Sequence, residues 1–207
     1  MRAMALAAVL AATAGFGATD VRADAMKFKI DAERSTVSAA VVEPAAVLRG
    51  SAIGNFRVIA GEVTGDPANI QDTAKVRVMI DATSYRSDSP SRDRSVTASS
   101  LESDKYPTIG FESTSVIGVI ATGANEGTTV VNGLLTIHGE SHPIAVPVHA
   151  ALAADGSFVA DGEVTFNYED YGVKVPSLLF GAFEAGDEAT VRFHIVATTA
   201  PKPGATP

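Results

Sequence analysis

The stretch Val131–Ala150, VNGLLTIHGESHPIAVPVHA, holds three of the chain's four histidines: His138, His142 and His149. A His-x3-His pair binds metal on a helix, where four residues make about one turn. Here Gly139 and Pro143 oppose a helix, and the flanks Leu134–Ile137 and Ile144–Val148 read as strands. The stretch is therefore expected to be a β-hairpin whose connection, 138–143, carries both close histidines. His142 and His149 are an odd number apart, so one regular strand would turn them to opposite sides. Gly139-Glu140-Ser141-His142-Pro143 is a poor nucleophile elbow: Pro143 stands where a glycine is needed, and a strand follows instead of a helix. No glycine-rich phosphate loop follows a strand. The acidic pairs Glu169-Asp170 and Asp187-Glu188 sit in polar, glycine-flanked segments and read as solvated charge. Neither a catalytic group nor a metal site is expected, and no cofactor.

The elements that would position these residues are β-strands. In Ala74–Ile80, Val76, Val78 and Ile80 share one face and Lys75 and Arg77 the other, a period of two. Val191–Ile195 repeats the pattern. Similar runs occupy Phe28–Ile30, Thr36–Val42, Ile59–Gly65, Thr108–Val119, Thr128–Ile137, Ile144–Leu152 and Phe158–Tyr168. Such spacing predicts an antiparallel sandwich or barrel. Between Asp88 and Leu101 the rhythm breaks. Pro90 is placed to start a short helix over Ser91 to about Ser99, with serines available as caps.

At the N-terminus, Met1-Arg2, an apolar run Ala3–Gly17 and the small-x-small triplet Ala23-Asp24-Ala25 predict a signal peptide over 1–25. The run is too short to span a bilayer, which takes about 20 residues. The domain is expected over 26–198, with a disordered Pro/Gly/Ala/Thr-rich tail over 199–207. The leader's two arginines and two aspartates cancel, so the mature chain keeps the formal net charge of −8. That sign disfavours nucleic acid and anionic membrane surfaces. With no cysteine, the fold has neither disulfides nor thiolate chemistry.

Several blocks in order resemble the YceI-like family. Phe28-Lys-Ile-Asp31 with Ser35-x-Val37 resembles its opening, and Leu48-Arg-Gly50 through Gly61-Glu-Val63 and Asp66-Pro67 its second block. Val76-x-Val78-x-Ile80-Asp81, Arg92-Asp93 and Lys105-Tyr-Pro107-x-Ile-x-Phe111-x-Ser113 follow. Then come Asn132-Gly133-x-Leu135-Thr136-x-His138-Gly139 and Tyr168-x-Asp170-Tyr171-Gly172. The chain departs from the family's pattern at Arg34, Ser95 and Tyr168. The resemblance implies an all-β fold: an eight-stranded antiparallel lipocalin-like barrel with one short helix. Its long apolar interior would hold a polyisoprenoid, a quinone-like lipid or another amphiphile. It also implies an exported carrier or reservoir, periplasmic or secreted, and is compatible with a homodimer.

A barrel of about eight strands either fills itself with side chains or leaves room for one ligand. With no tryptophan and only nine phenylalanines, one of them in the leader, this chain has little interior bulk. Taking alternate positions as inward, the expected ligand-lining residues are Val37, Ala39, Phe56, Ile109, Phe111, Leu135, Ile137, Val146, Val148, Phe166, Phe193 and Ile195. Arg34, Arg92 and Lys105 are the candidates for a phosphate or hydroxyl head group. Two other readings stay open at this point. One is an enzyme acting on an enclosed lipid through Arg92-Asp93 or His138. The other is a filled module, plugged by loops such as Pro176–Phe180, with a structural or interaction role.

Overall fold

The computed structural model describes residues 26–41, 52–66, 69–174 and 187–199. Residues 1–25, expected to be a leader, residues 200–207 and the segment Pro176–Phe180 lie outside them. Nine strands run antiparallel to their neighbours: β1 (Met26–Ile30), β2 (Thr36–Val41), β3 (Ala52–Gly65), β4 (Lys75–Arg86), β5 (Thr108–Ala121), β6 (Glu126–Ile137), β7 (Glu140–Leu152), β8 (Phe158–Asn167) and β9 (Glu188–Thr199). β9 carries the sheet one residue past the expected domain boundary, since Thr199 pairs with Phe28.

Nine strands make eight staves because β1 and β2 share one. β1 lies between Glu62–Gly65 of β3 and Ala197–Thr199 of β9, and β2 between Ala52–Phe56 and Ala189–His194 of the same two strands. The break between them is pinned by Ser35. Its hydroxyl donates to the Asp31 carbonyl at 2.7 Å and accepts from the Val196 amide at 3.0 Å. Pairing of β3 with β4 closes the ring, so the structure is a closed eight-staved antiparallel barrel.

The expected helix forms with its predicted start. Pro90 opens α2 (Pro90–Ser95) and the Ser89 side chain caps it by accepting from the Arg92 amide. The chain then widens into a π-helical turn, Val96–Ser100, in place of the continued α-helix. A single helical turn, α1 (Ile70–Thr73), joins β3 to β4, and a 3-10 turn, Tyr168–Tyr171, follows β8. None of the described helices is long and apolar enough to cross a membrane.

β3 starts at Ala52, earlier than its apolar pattern foretold. Gly54 and Asn55 look like turn residues, yet Gly54 is strand. A Cβ there would lie 2.0 Å from the Tyr85 ring, so the glycine makes room for an aromatic from β4. The outer face carries cross-strand ion pairs, among them Lys27–Glu62 at 2.6 Å and Arg77–Glu112 at 3.0 Å. These are exposed pairs of the kind that favour solubility and register over stability.

Candidate functional site

The chemistry-bearing residues are dispersed by the fold. The β6–β7 connection is two residues long, not six. His138 (φ 53°) and Gly139 (φ 84°) alone make the turn, both left-handed as a type I′ hairpin requires. His142 and Pro143 are therefore strand residues, opposite Leu135 and Leu134. Tight turns want an Asn-Gly-like pair, and His-Gly serves because Gly139 tolerates positive φ and His138 is held by tertiary contacts. The His138 Nε2 lies 2.5 Å from a Glu102 carboxylate oxygen, and its ring centroid 4.4 Å from that of Tyr106. Glu102 (φ 43°) is the other described non-glycine residue in the left-handed region, so the hydrogen bond joins the two backbone positions under strain.

His142 points inward and meets Tyr171 edge-on, with ring centroids 5.0 Å apart. His149 faces the other side, 3.8 Å from Glu126. Hence the three histidines of the stretch serve a turn, an interior contact and an outer contact with a carboxylate. Ser141 hydrogen-bonds Thr136 across the hairpin, and Glu169, Asp170, Asp187 and Glu188 are exposed.

All twelve apolar candidates occupy the inward face. Val37, Ile109, Ile137, Val146 and Ile195 are buried, and Ala39, Phe56, Phe111, Leu135, Val148, Phe166 and Phe193 are half-buried. The cross-strand registers agree, with Val37 between Phe56 and Phe193, and Phe111 beside Leu135. The expected lining left out Val58, Val76, Val78, Ile80 and Val191, which belong to the same face. Among them Val58 is buried to 1% exposure, while Val76, Val78, Ile80 and Val191 stay half-buried although they face inward. Period-two patterning was the available signal for these, as it was for the rest.

Several inward rings lie flat against the wall. A Cβ at Gly133 would meet the Phe111 ring at 2.6 Å, and one at Gly162 the Phe193 ring at 2.4 Å. A ring folded over a glycine takes the volume of the missing side chain and projects less toward the axis.

The end of the barrel formed by the β4–β5, β6–β7 and β8–β9 connections is covered by side chains. Leu101, Tyr168, Tyr171 and Val173 are buried there with Ala82, Ile109 and Ile137, and Val96 packs against them. Burial raises the pKa of the Tyr85, Tyr168 and Tyr171 phenols, so all three stay neutral at ordinary pH. The Ser100 hydroxyl, in the π-helical turn, is buried with no hydrogen-bond partner among the described residues. Sequence reasoning passed over it, because one serine among several near Ser95–Ser100 carries no distinguishing signal.

The model of the YceI-like domain matches residues 28–197 of this sequence. The chain belongs to the YceI-like family. A UPF0312 protein of Vibrio cholerae is 30% identical over 128 residues, which is 59% of this chain and 65% of the relative. One from Shewanella baltica is 30% identical over 129 residues, 59% of this chain and 64% of the relative. The match thus spans just under two thirds of these relatives' length. Among solved structures, Burkholderia cenocepacia BcnA superposes with a TM-score of 0.64 at 24% identity, covering 82% of this chain and 99% of that one. A polyisoprenoid binding domain from Saccharophagus degradans gives the same TM-score at 12% identity, with 84% and 99% covered. At such identities these likenesses establish a shared YceI-like barrel.

On that barrel the three head-group candidates do not converge. Arg34 sits at the β1–β2 break and pairs with Asp155 of the β7–β8 turn at 3.4 Å, at the end opposite α2. Arg92 pairs with Asp88 one helical turn away. The Lys105 ammonium lies 4.7 Å from the Tyr106 ring centroid, and its pKa is raised chiefly by hydrogen bonding to that phenol. Asp93 accepts from the Ser87 amide and hydroxyl, both at 2.7 Å, so it anchors the loop that starts α2. Outside the barrel, a shallow groove of about 220 Å³ lies among Glu62, Lys75, Val76, Arg77, Glu112 and Ser113. Its lining includes the Arg77–Glu112 ion pair.

Proposed function

We propose that this protein is an exported carrier or reservoir that holds a long apolar chain inside the barrel. The ligand would be a polyisoprenoid, a quinone or a fatty amide. The observation that supports this most strongly is the state of the inward face. In a close-packed interior, large apolar side chains are almost wholly excluded from solvent. Among the described residues, however, Phe111, Leu135, Val148, Phe166 and Phe193 stay half-buried although they point inward. Apolar walls of this kind accept an apolar guest, and each methylene moved out of water contributes about 0.8 kcal/mol. Several isoprene units supply on the order of 10 kcal/mol before ordering and association costs. No polar contact is then needed for affinity. The polyisoprenoid binding described for the Saccharophagus degradans domain agrees with this reading.

The leader supports export, and with it a periplasmic or secreted location. The ion pairs and hydrogen bonds that occupy Arg92, Asp93 and His138 support a binding protein over an enzyme. Native mass spectrometry of gently purified protein is expected to show an added mass in the lipid range, or stoichiometric uptake of added polyprenol. A clean apoprotein that takes up neither polyprenol nor quinone overturns the reading. N-terminal sequencing of the exported form is expected to begin at Met26.

A further inference from the structure

We propose that the apolar chain enters sideways, through a seam between β7 and β8, rather than end-on; this rests on the carrier reading above. The β7–β8 ladder runs from Leu152↔Phe158 to Val148↔Gly162 and stops. Neither strand ends there. β7 stays paired with β6 back to Glu140, and β8 stays paired with β9 on to Asn167. Two intact ribbons therefore part from each other along half their length. Among the described residues this is the longest stretch over which neighbouring strands both run on without pairing.

The cause is legible in the hairpin geometry. Flanking a two-residue turn, Ile137 and Glu140 form the hydrogen-bonded pair, so even-numbered residues of β7 direct their backbone groups to β6 and odd-numbered ones to β8. Pro143 and Pro147 are both odd. Each deletes a donor aimed at β8, and the ladder ends at the residue next to Pro147. Pairing with β6 loses nothing by them.

Ring contacts bridge the parted strands. Tyr171, in the 3-10 turn after β8, meets His142 of β7 at 5.0 Å and Phe166 of β8 at 5.4 Å. Opening the seam parts these rings and breaks no backbone ladder, so its cost is far below that of separating paired strands. The seam lies beside the covered end, where Leu101 and Tyr168 obstruct an axial path. A slot along the wall lets a long chain lie down against the inward face without threading.

The test is the full exported chain taking up dansyl-labelled farnesol from phosphatidylcholine vesicles, in wild type, Pro143→Val/Pro147→Val and His142→Ala. Amide exchange at 143 and 147 reports whether the ladder has closed. The proposal expects protected amides and uptake slowed roughly tenfold in the double variant, with the final fluorescence kept. Protected amides with an unchanged rate overturn it. If those amides exchange freely, the ladder has not closed and His142→Ala decides: faster uptake supports the seam, and an unchanged rate overturns it. Wild type that takes up no probe, while its β7–β8 amides exchange faster than those between β6 and β7, breaks the carrier reading instead and the portal with it.

Discussion

Two of the interruptions in the barrel wall are patched by opposite chemistries. Between β3 and β4 the register slips, so that Asn55 faces Arg86 but Arg57 faces Asp81. There polar side chains replace the missing ladder. The Arg57 amide donates to the Ser84 hydroxyl at 2.8 Å, and that hydroxyl donates to the Asp81 carbonyl at 2.6 Å. The Asp81 carboxylate accepts from the Thr83 amide and hydroxyl and from the Arg57 guanidinium. Between β7 and β8 the gap is spanned by His142, Tyr171 and Phe166, rings with no hydrogen bond across the seam. A hydrogen-bonded patch is directional and locks one geometry, while ring contacts tolerate sliding and reform at small cost. The first interruption behaves as a latch and the second as a hinge line.

The largest expected effect comes from attacking the point where the β7–β8 ladder ends. In Gly162→Val, the new Cβ would lie 2.4 Å from the Phe193 ring and 2.5 Å from the Pro147 carbonyl oxygen. A loss of about 3 kcal/mol in urea unfolding is expected. A loss under 1 kcal/mol shows that the strands there are free to move apart.

Next is the latch. Asp81→Asn is expected to cost about 2 kcal/mol at neutral pH, because charge-assisted hydrogen bonds are lost. The hydrogen bond from the Thr83 hydroxyl, ahead of the Arg57 guanidinium, lowers the Asp81 pKa below its ordinary value. A carboxylate depressed in this way stabilises the fold above its unfolded pKa of about 4, and the contribution disappears as pH falls through the folded value. Wild type and variant are therefore expected to converge in stability toward acid pH. A gap that persists unchanged there assigns the loss to packing.

The turn that sets the β6 edge of β7 comes third. His138→Val places a β-branched residue at φ 53° and removes the Glu102 bond, for an expected loss of about 1.5 kcal/mol. His138→Asn, which tolerates that φ, is expected to recover part of it. Equal losses for the two variants mean the backbone angle is not what His138 is there to satisfy. Smallest is the hinge itself, where His142→Ala is expected to cost about 1 kcal/mol or less in urea unfolding.

Much of this was legible in the sequence, for a physical reason: strand faces follow a two-residue period that is local. Val76, Val78 and Ile80, or Phe193 and Ile195, declare their common side without reference to any partner. Pro90 and Ser89 likewise set the start of α2 through contacts within one helical turn. The ordered family blocks named the barrel. Less legible were β3 at Gly54, where a ring from another strand overrides the turn propensity, and the length of the β6–β7 connection. His138 holds its left-handed conformation only with Glu102, 36 residues away, and Tyr106 beside it.

By itself, then, the sequence determined an acidic cysteine-free β protein and which side of most strands is oily. Tertiary structure alone decided that Arg34 stands at the opposite end from Arg92 and Lys105, and that the three clustered histidines have three separate roles. It also decided what Pro143 and Pro147 do. A proline removes a donor wherever it stands, but which neighbour loses that bond depends on the edge it faces, and only the register of the closed barrel assigns the edge.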